Sequence, residues 1–260
     1  MTERFLLYID ILGFKELVRS GINLAELYMR IDRMNVHSDK DFTCIVFSDT
    51  ILVYGSDAWL EHPSQALMWL IEFAQDIFYS LISLDIHIRA YITKGEFSHY
   101  KLKNMEAYYG RALIDCYESE KAIKCTGVFL DSRLASLSDI FYTTKYDDRS
   151  HFIHVMQHLE EVSFQYAEYP NDGYELESSG MEWWTAYSLR YLQNIHRHAN
   201  DPTHDDSVRL KYRNAWKMIA SRHDGLCKRL IEASFDFGAV IQIDWSEKLR
   251  RIGTVEGTFS

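Results

Sequence analysis

The first half of the chain alternates short apolar blocks with polar breaks, whereas the second half repeats its apolar residues at helical spacing. Residues 4–9 are a run of β-type side chains that ends at Asp10 and is soon followed by Gly13. The pattern then predicts two helices, 14–20 and 24–34, broken at Gly21 and capped by Asn23. Residues 41–47 and 50–54 read as strands, with Ser48-Asp49 as the bend of a hairpin between them. Ser64 is placed as the cap of a long helix reaching about Ile82, with Leu67, Leu70, Ile71, Ala74, Ile77 and Phe78 on one face. A strand over 86–93 is ended by Gly95; after a polar segment, Gly110 introduces a helix to about Ile123, and 128–130 is a further strand. Beyond about Glu160 the helical period takes over, in 181–198 and in one long stretch, 205–235.

This order, β, α(α), β, β, α, β, α, β, is that of an α+β protein with a ferredoxin-like βαββαβ core, an extra strand and helix, and a helical C-terminal extension. Residues 1–160 are expected to form the main domain, and 161–260 a mostly helical extension packed on the core or on a dimer interface. In that topology the first two strands are parallel and the third lies antiparallel between them. The end of the first strand then sits beside the hairpin, which makes Asp10 and Asp49 neighbours.

Two carboxylates at adjacent strand ends suit hard divalent cations, Mn2+ or Mg2+, that bridge protein oxygens to phosphates. The carbonyl of Ile11 offers a further ligand, and the backbone of Leu12, Gly13, Phe14 and Lys15, turning into a helix, offers amides to phosphate oxygens. Taken singly, Asp10 also reads as a helix cap and Asp49 as a hairpin former; it is the pairing that favours a metal site.

Charge sharpens this. The 260 residues carry a net charge of −10, which argues against nucleic-acid binding and makes a polyanionic substrate depend on metal ions or a local basic cluster. With 47% hydrophobic and 14% aromatic residues the chain has ample core. Cys44, Cys116, Cys125 and Cys227 are too scattered for a zinc site or disulfide framework, which fits reduced thiols in the cytoplasm. The N-terminus lacks a signal-peptide pattern, and the apolar run 66–84 is interrupted by Glu72, Gln75 and Asp76, so no membrane segment is expected.

Four blocks resemble a known family. Tyr8-Ile9-Asp10-Ile11-Leu12-Gly13-Phe14 is similar to the first metal-binding stretch of class III adenylate and guanylate cyclases, and Phe47-Ser48-Asp49-Thr50 to their second metal-binding hairpin. The segment from Arg89 to Gly95 resembles their "Arg-x-Gly-Ile-x-x-Gly" strand, and Tyr109-Gly110-Arg111-Ala112-Leu113 the start of their dimer-helix motif. The blocks occur in the family's order over roughly the first half of the chain. The Asp-Ile-Leu-Gly-Phe form resembles more specifically the bacterial pyrimidine cyclases of antiphage defence, which make cyclic UMP or cyclic CMP to activate a separate effector. The resemblance implies a nucleoside triphosphate substrate, two divalent cations, and a head-to-tail homodimer with shared active sites.

One departure matters. Where the family's purine cyclases carry an Asn and an Arg that orient the ribose and stabilise the transition state, this chain has Ile114 and Glu118. Another cation must replace that Arg, or the site is silent. Arg89, Lys94, Arg111 and Lys121 are the basic candidates, and Arg111, at a helix start, ranks first. Arg89, Tyr54 and Tyr108 form the candidate base and ribose set; Tyr91 and Tyr109 are alternatives, and ordinary packing competes for every tyrosine. His196 and His198, at i, i+2, fall on different helix faces and, with His204-Asp205-Asp206, read as surface histidines rather than a metal site.

The leading reading is a uridylate or cytidylate cyclase, cyclic UMP slightly preferred. A purine cyclase, a catalytically silent nucleotide-binding module, and a diguanylate cyclase or polymerase-palm relative stand as alternatives.

Overall fold

The computed structural model of the chain describes residues 2–21, 24–34, 41–165, 168–173, 176–177 and 180–252. They divide into two compact units: 2–78, 87–123 and 127–155 form the first, and 79–86, 124–126 and 156–252 the second.

The first unit is built on β1 (Thr2–Ile11), whose residues from Phe5 to Ile9 are all buried, as a central strand covered on both faces requires. Helices α1 (Phe14–Ser20) and α2 (Leu24–Asp32) follow, then β2 (Phe42–Phe47), β3 (Thr50–Gly55), α3 (Pro63–Ile82), β4 (Ile88–Lys101), β5 (Glu106–Tyr109), α4 (Arg111–Ala122), β6 (Gly127–Asp131), β7 (Thr143–Lys145) and β8 (Ser150–Ile153). The sheet runs β2-β3-β1-β4-β6-β8-β7, with β5 paired to β4. Its first four strands reproduce the ferredoxin-like order: β3 is antiparallel to both β1 and β2, and β4 flanks β1 antiparallel on the other side. Strand β6 joins parallel to β4, as the crossover through α4 requires.

Several expectations need correcting. Gly95 does not end its strand: it pairs with Arg4, and β4 continues to Lys101 before folding back as β5. The reason is packing, because Gly95 faces Ala112 of α4 and lets the helix lie close. The long helix begins at Pro63, one residue before Ser64, where a proline lacking a donor costs nothing. Strands β7 and β8 were not anticipated from the sequence. The expected cap Asn23 lies outside the described residues.

The second unit is helical: α5 (Glu182–Asn200), α6 (Asp206–Ala220), α7 (Asp224–Glu232) and α8 (Ser246–Ile252). Ala186, Leu189, Leu192 and Ile195 of α5 are buried, as are Tyr212, Ala215 and Ile219 of α6. The helical stretch 205–235 holds two helices, interrupted at 221–223, where His223 is buried and bonds to Ser163 Oγ (2.8 Å). No described helix is long and apolar enough to cross a membrane.

Candidate functional site

Strand β1 leads straight into the site. Gly13 takes a left-handed conformation (φ 73°), which turns the chain from β1 into α1, and its carbonyl accepts the amides of Glu16 and Leu17. On the other side the β2–β3 hairpin bends at Ser48-Asp49, with Ser48 also left-handed (φ 56°) and Phe47 paired to Thr50. Register then does the rest. Asp10 pairs with Thr50, and the amide of Ile11 donates to the carbonyl of Asp49 at 2.9 Å. The two aspartates therefore occupy one end of the sheet. The carbonyl of Ile11 lies on the same side of its strand as its amide, toward Asp49.

Directly paired residues share a face of the sheet, so Phe47, Thr50, Asp10 and Arg89 form one row across β2, β3, β1 and β4. Tyr8, two residues before Asp10, lies on the same face, and its hydroxyl is 3.3 Å from Thr50 Oγ1. Burial raises the Tyr8 phenol above its ordinary value, and the charges of Asp10 and Asp49 push the same way, while the bond to Thr50 opposes them. Both carboxylates thus act on one phenol. An all-oxygen donor set with two clustered carboxylates is the chemistry that hard divalent cations take, so the residues present fit Mg2+ or Mn2+.

Arg89 sits at the inner edge of the row and is buried. Its Nη2 donates to Asp10 Oδ2 (3.3 Å) and to Glu120 Oε1, and its Nη1 to the carbonyl of Ile123 (3.0 Å). The guanidinium is thereby tied to the C-terminal end of α4 and to Asp10 at once. Its expected place is at a base or ribose; its observed place is beside a carboxylate of the proposed metal pair.

The other predicted residues distribute unevenly. Leu12 does not offer its amide, which bonds to the carbonyl of His87 (2.9 Å); Gly13, Phe14 and Lys15 follow at the start of α1, with Phe14 buried and Lys15 exposed. Arg111 is at the far end of α4 from Glu120, its side chain 80% exposed and paired loosely with Asp115 (3.9 Å). Tyr54 pairs with Leu6, four residues back along β1 from Asp10, about 13 Å away at strand rise. It bonds His99 Nδ1 (2.5 Å), while His99 Nε2 lies 3.2 Å from Glu106, which also accepts from Tyr108 (2.6 Å). The structure gathers Tyr54 and Tyr108 into that separate cluster and not with the aspartates. Tyr8 carried a legible signal, alternation with Asp10; Glu120 carried none, since only the packing of α4 brings it to Arg89.

In the second unit, His196 packs its ring against Trp216 and Phe235. His198 is not a plain surface residue: Nε2 lies 2.9 Å from Asp85 and Nδ1 2.9 Å from His204, and Tyr212 stacks on its ring.

No family model matches the chain, and no curated protein matches it. Solved structures similar to it include the adenylyl cyclase CyaB from P. aeruginosa, at 14% identity over 58% of this chain and 91% of that one, TM-score 0.41. The guanylate cyclase domain of RhGC from Catenaria anguillulae in complex with GTP is 12% identical over 58% and 95%, TM-score 0.43. The monomeric guanylyl cyclase domain of the RhoGC fusion protein from Blastocladiella emersonii is 12% identical over 58% and 94%, TM-score 0.43. Likeness at this level carries no chemistry across, and the case for a function rests on the side chains described above.

Proposed function

We propose that this chain is a nucleotidyl cyclase that closes a pyrimidine nucleoside triphosphate, UTP in preference to CTP, into its 3′,5′-cyclic monophosphate with release of pyrophosphate. The observation that carries this reading is the bond from Ile11 to Asp49, which fixes two carboxylates on adjacent strands at one sheet end. Asp10, Asp49 and the carbonyl of Ile11 would hold two divalent cations, which, when bound, acidify the ribose 3′-hydroxyl and offset the charge of the triphosphate.

The chain's own residues then position the reactants. Thr50 and Tyr8 hold the row beside Asp10, and the amides of Gly13, Phe14 and Lys15 at the turn into α1 face the phosphates. The 3′-oxygen bonds to the α-phosphorus as the bond to the bridging β-phosphate oxygen breaks; pyrophosphate leaves and the hydroxyl proton passes to water. No protein nucleophile is required, and burial pushes the Cys44 and Cys227 thiols up to about 12 and raises Cys116 as well. The pyrimidine preference, the place in antiphage signalling with a separate effector, and the homodimer follow the sequence resemblance. Residues 1–160 form the catalytic domain in this reading, and 161–260 its helical extension.

A second reading has its own observation. Arg89 already places a cation on Asp10, as expected of a module that binds nucleotide without turning it over. Incubation with ATP, GTP, CTP and UTP in turn, with Mn2+ or Mg2+, and mass spectrometry of the products decides between them. Cyclic UMP or cyclic CMP with pyrophosphate, absent in Asp49→Asn, is the expected result. A purine product would keep the cyclase and discard the base, and no product from any triphosphate would favour the silent module.

A further inference from the structure

A second cluster of metal-binding side chains lies in the helical unit, where α5 closes on Arg197-His198-Ala199-Asn200 and His204 follows in the turn to α6. The turn is tight: the Asp201 carboxylate accepts the Thr203 amide (2.8 Å) and hydroxyl (2.6 Å), and the His204 amide donates to the Asp201 carbonyl (3.3 Å). It folds His204 back over the end of α5, so that His204 Nε2 lies 2.9 Å from His198 Nδ1. The ring centres are 5.1 Å apart with 28° between the planes, so the two imidazoles meet edge to edge through these nitrogens.

The other side of His198 is fixed. Nε2 lies 2.9 Å from Asp85 Oδ2, and the Tyr212 ring of α6 stacks on the imidazole with centres 4.7 Å apart. Asp85 holds a left-handed backbone (φ 53°) in the turn after α3, a conformation that glycine takes more readily, so a carboxylate stands there against backbone preference. Arg197 donates to the same Oδ2 and offsets its charge. A proton on Nε2 shared with Asp85 leaves the Nδ1 lone pair directed at His204. An imidazole backed in this way by a carboxylate is the usual arrangement of a metal-ligating histidine.

Two nitrogens held by one ion at about 2.0–2.1 Å stand about 2.9 Å apart at a right angle and about 3.3 Å apart at the tetrahedral angle. The observed 2.9 Å meets the first value, and the exposed residues 202, 203 and 205 let the turn adjust toward the second. We propose that His198 Nδ1 and His204 Nε2 are the protein ligands of a second metal site, for Zn2+, with water completing the coordination and Asp85 orienting His198. Binding releases the proton that otherwise lies between the two nitrogens. Imidazole nitrogen suits Zn2+, whereas carboxylate and carbonyl oxygens suit Mg2+ and Mn2+, so this site and the one at Asp10 and Asp49 select different ions. Zn2+ here pins the α5–α6 turn to the end of α5, a role that does not depend on the cyclase reading of the two aspartates.

The test titrates the metal-stripped full chain with Zn2+ by calorimetry, with Mg2+ in excess, and follows the histidine side chains by 15N NMR. The wild type should take up one Zn2+ with release of about one proton, read as a buffer-dependent heat, and the resonances of His198 Nδ1 and His204 Nε2 should shift. His204→Gln, a change in the turn, should weaken Zn2+ by more than about 10-fold, and Asp85→Asn by roughly 10- to 100-fold. Asp49→Asn should bind Zn2+ as the wild type does. Wild-type affinity in His204→Gln, or loss in Asp49→Asn instead, would overturn the assignment. A wild type that takes up no Zn2+ would overturn it as well, and either result leaves the cyclase reading to be decided by the products from the four triphosphates.

Discussion

The hydroxyl of Tyr28 donates to the carbonyl of Ser48 at 3.1 Å, so helix α2 holds the bend that carries Asp49. The bond is exposed, and Tyr28→Phe should cost about 1 kcal/mol or less in stability. Its larger effect is expected on the site: Mn2+ affinity should fall severalfold because the bend is no longer clamped. Thermal unfolding beside a Mn2+ titration separates the two, and unchanged affinity would show that the hairpin holds itself.

Metal binding to the native state alone must stabilise it. At a free Mn2+ concentration of 100 times Kd the wild type should gain about 2.7 kcal/mol against denaturant. Asp49→Asn should show almost none of that gain, and chelation should abolish it in the wild type. A gain that survives Asp49→Asn would place the ion elsewhere.

The Arg89–Glu120 pair is buried on both sides. Glu120→Gln leaves the guanidinium with less countercharge in a dry site and should destabilise the fold by about 3 kcal/mol. Arg89→Met with Glu120→Gln should cost less than the two single changes added together. Additive losses in that cycle, read by urea unfolding, would mean the two side chains act independently.

Among the described glycines of the first unit, Gly110 leaves the least room for a side chain. Its φ is +152°, and a Cβ there would lie 2.2 Å from the Glu96 carbonyl oxygen and 2.7 Å from the Phe97 Cα. Backbone cannot yield as a side-chain tip can, so Gly110→Ala should lose at least about 3 kcal/mol. A variant that unfolds at the wild-type temperature would refute this close approach of α4 to β4.

How much of this was legible in sequence follows from which forces are local. The Asp10–Asp49 pairing could be read because a bend at Ser48-Asp49 and the order of four strands are enough to imply it. The strand beyond Gly95 could not, since it depends on Ala112 arriving from α4. Arg111 ranks first among the cations in sequence because it opens a helix; only the packed direction of α4 shows that it lies at the end away from the Arg89–Glu120 pair. Tyr54 and Tyr108 lie apart from the aspartates because register pairs Tyr54 with Leu6 and Tyr108 with His99, and the β4–β5 pairing was not visible in the sequence.

His223 makes the second unit sensitive to acid. Burial lowers its pKa from 6.5 to about 4; Glu160 opposes the shift and Arg222 adds to it. The unfolded chain therefore takes up a proton between these values while the folded chain does not. Stability contributed by the neutral ring is full above about pH 6.5 and falls as pH drops toward 4, by roughly 3 kcal/mol in all. Urea midpoints measured from pH 7.5 to 4.5 should decline less steeply in His223→Gln.

The bend at Ser48-Asp49 has only two residues between paired Phe47 and Thr50. One residue added or removed there would slip the register and turn every side chain of β2 to the opposite face, shifting Asp49 away from Ile11. This corner can be retuned by substitution but not by lengthening. Residues 102–105, at the exposed tip of the β4–β5 hairpin, carry no such constraint. An engineer wishing to graft a reporter or a ligand-sensing domain onto this chain should open it there and leave the shorter hairpin at its native length.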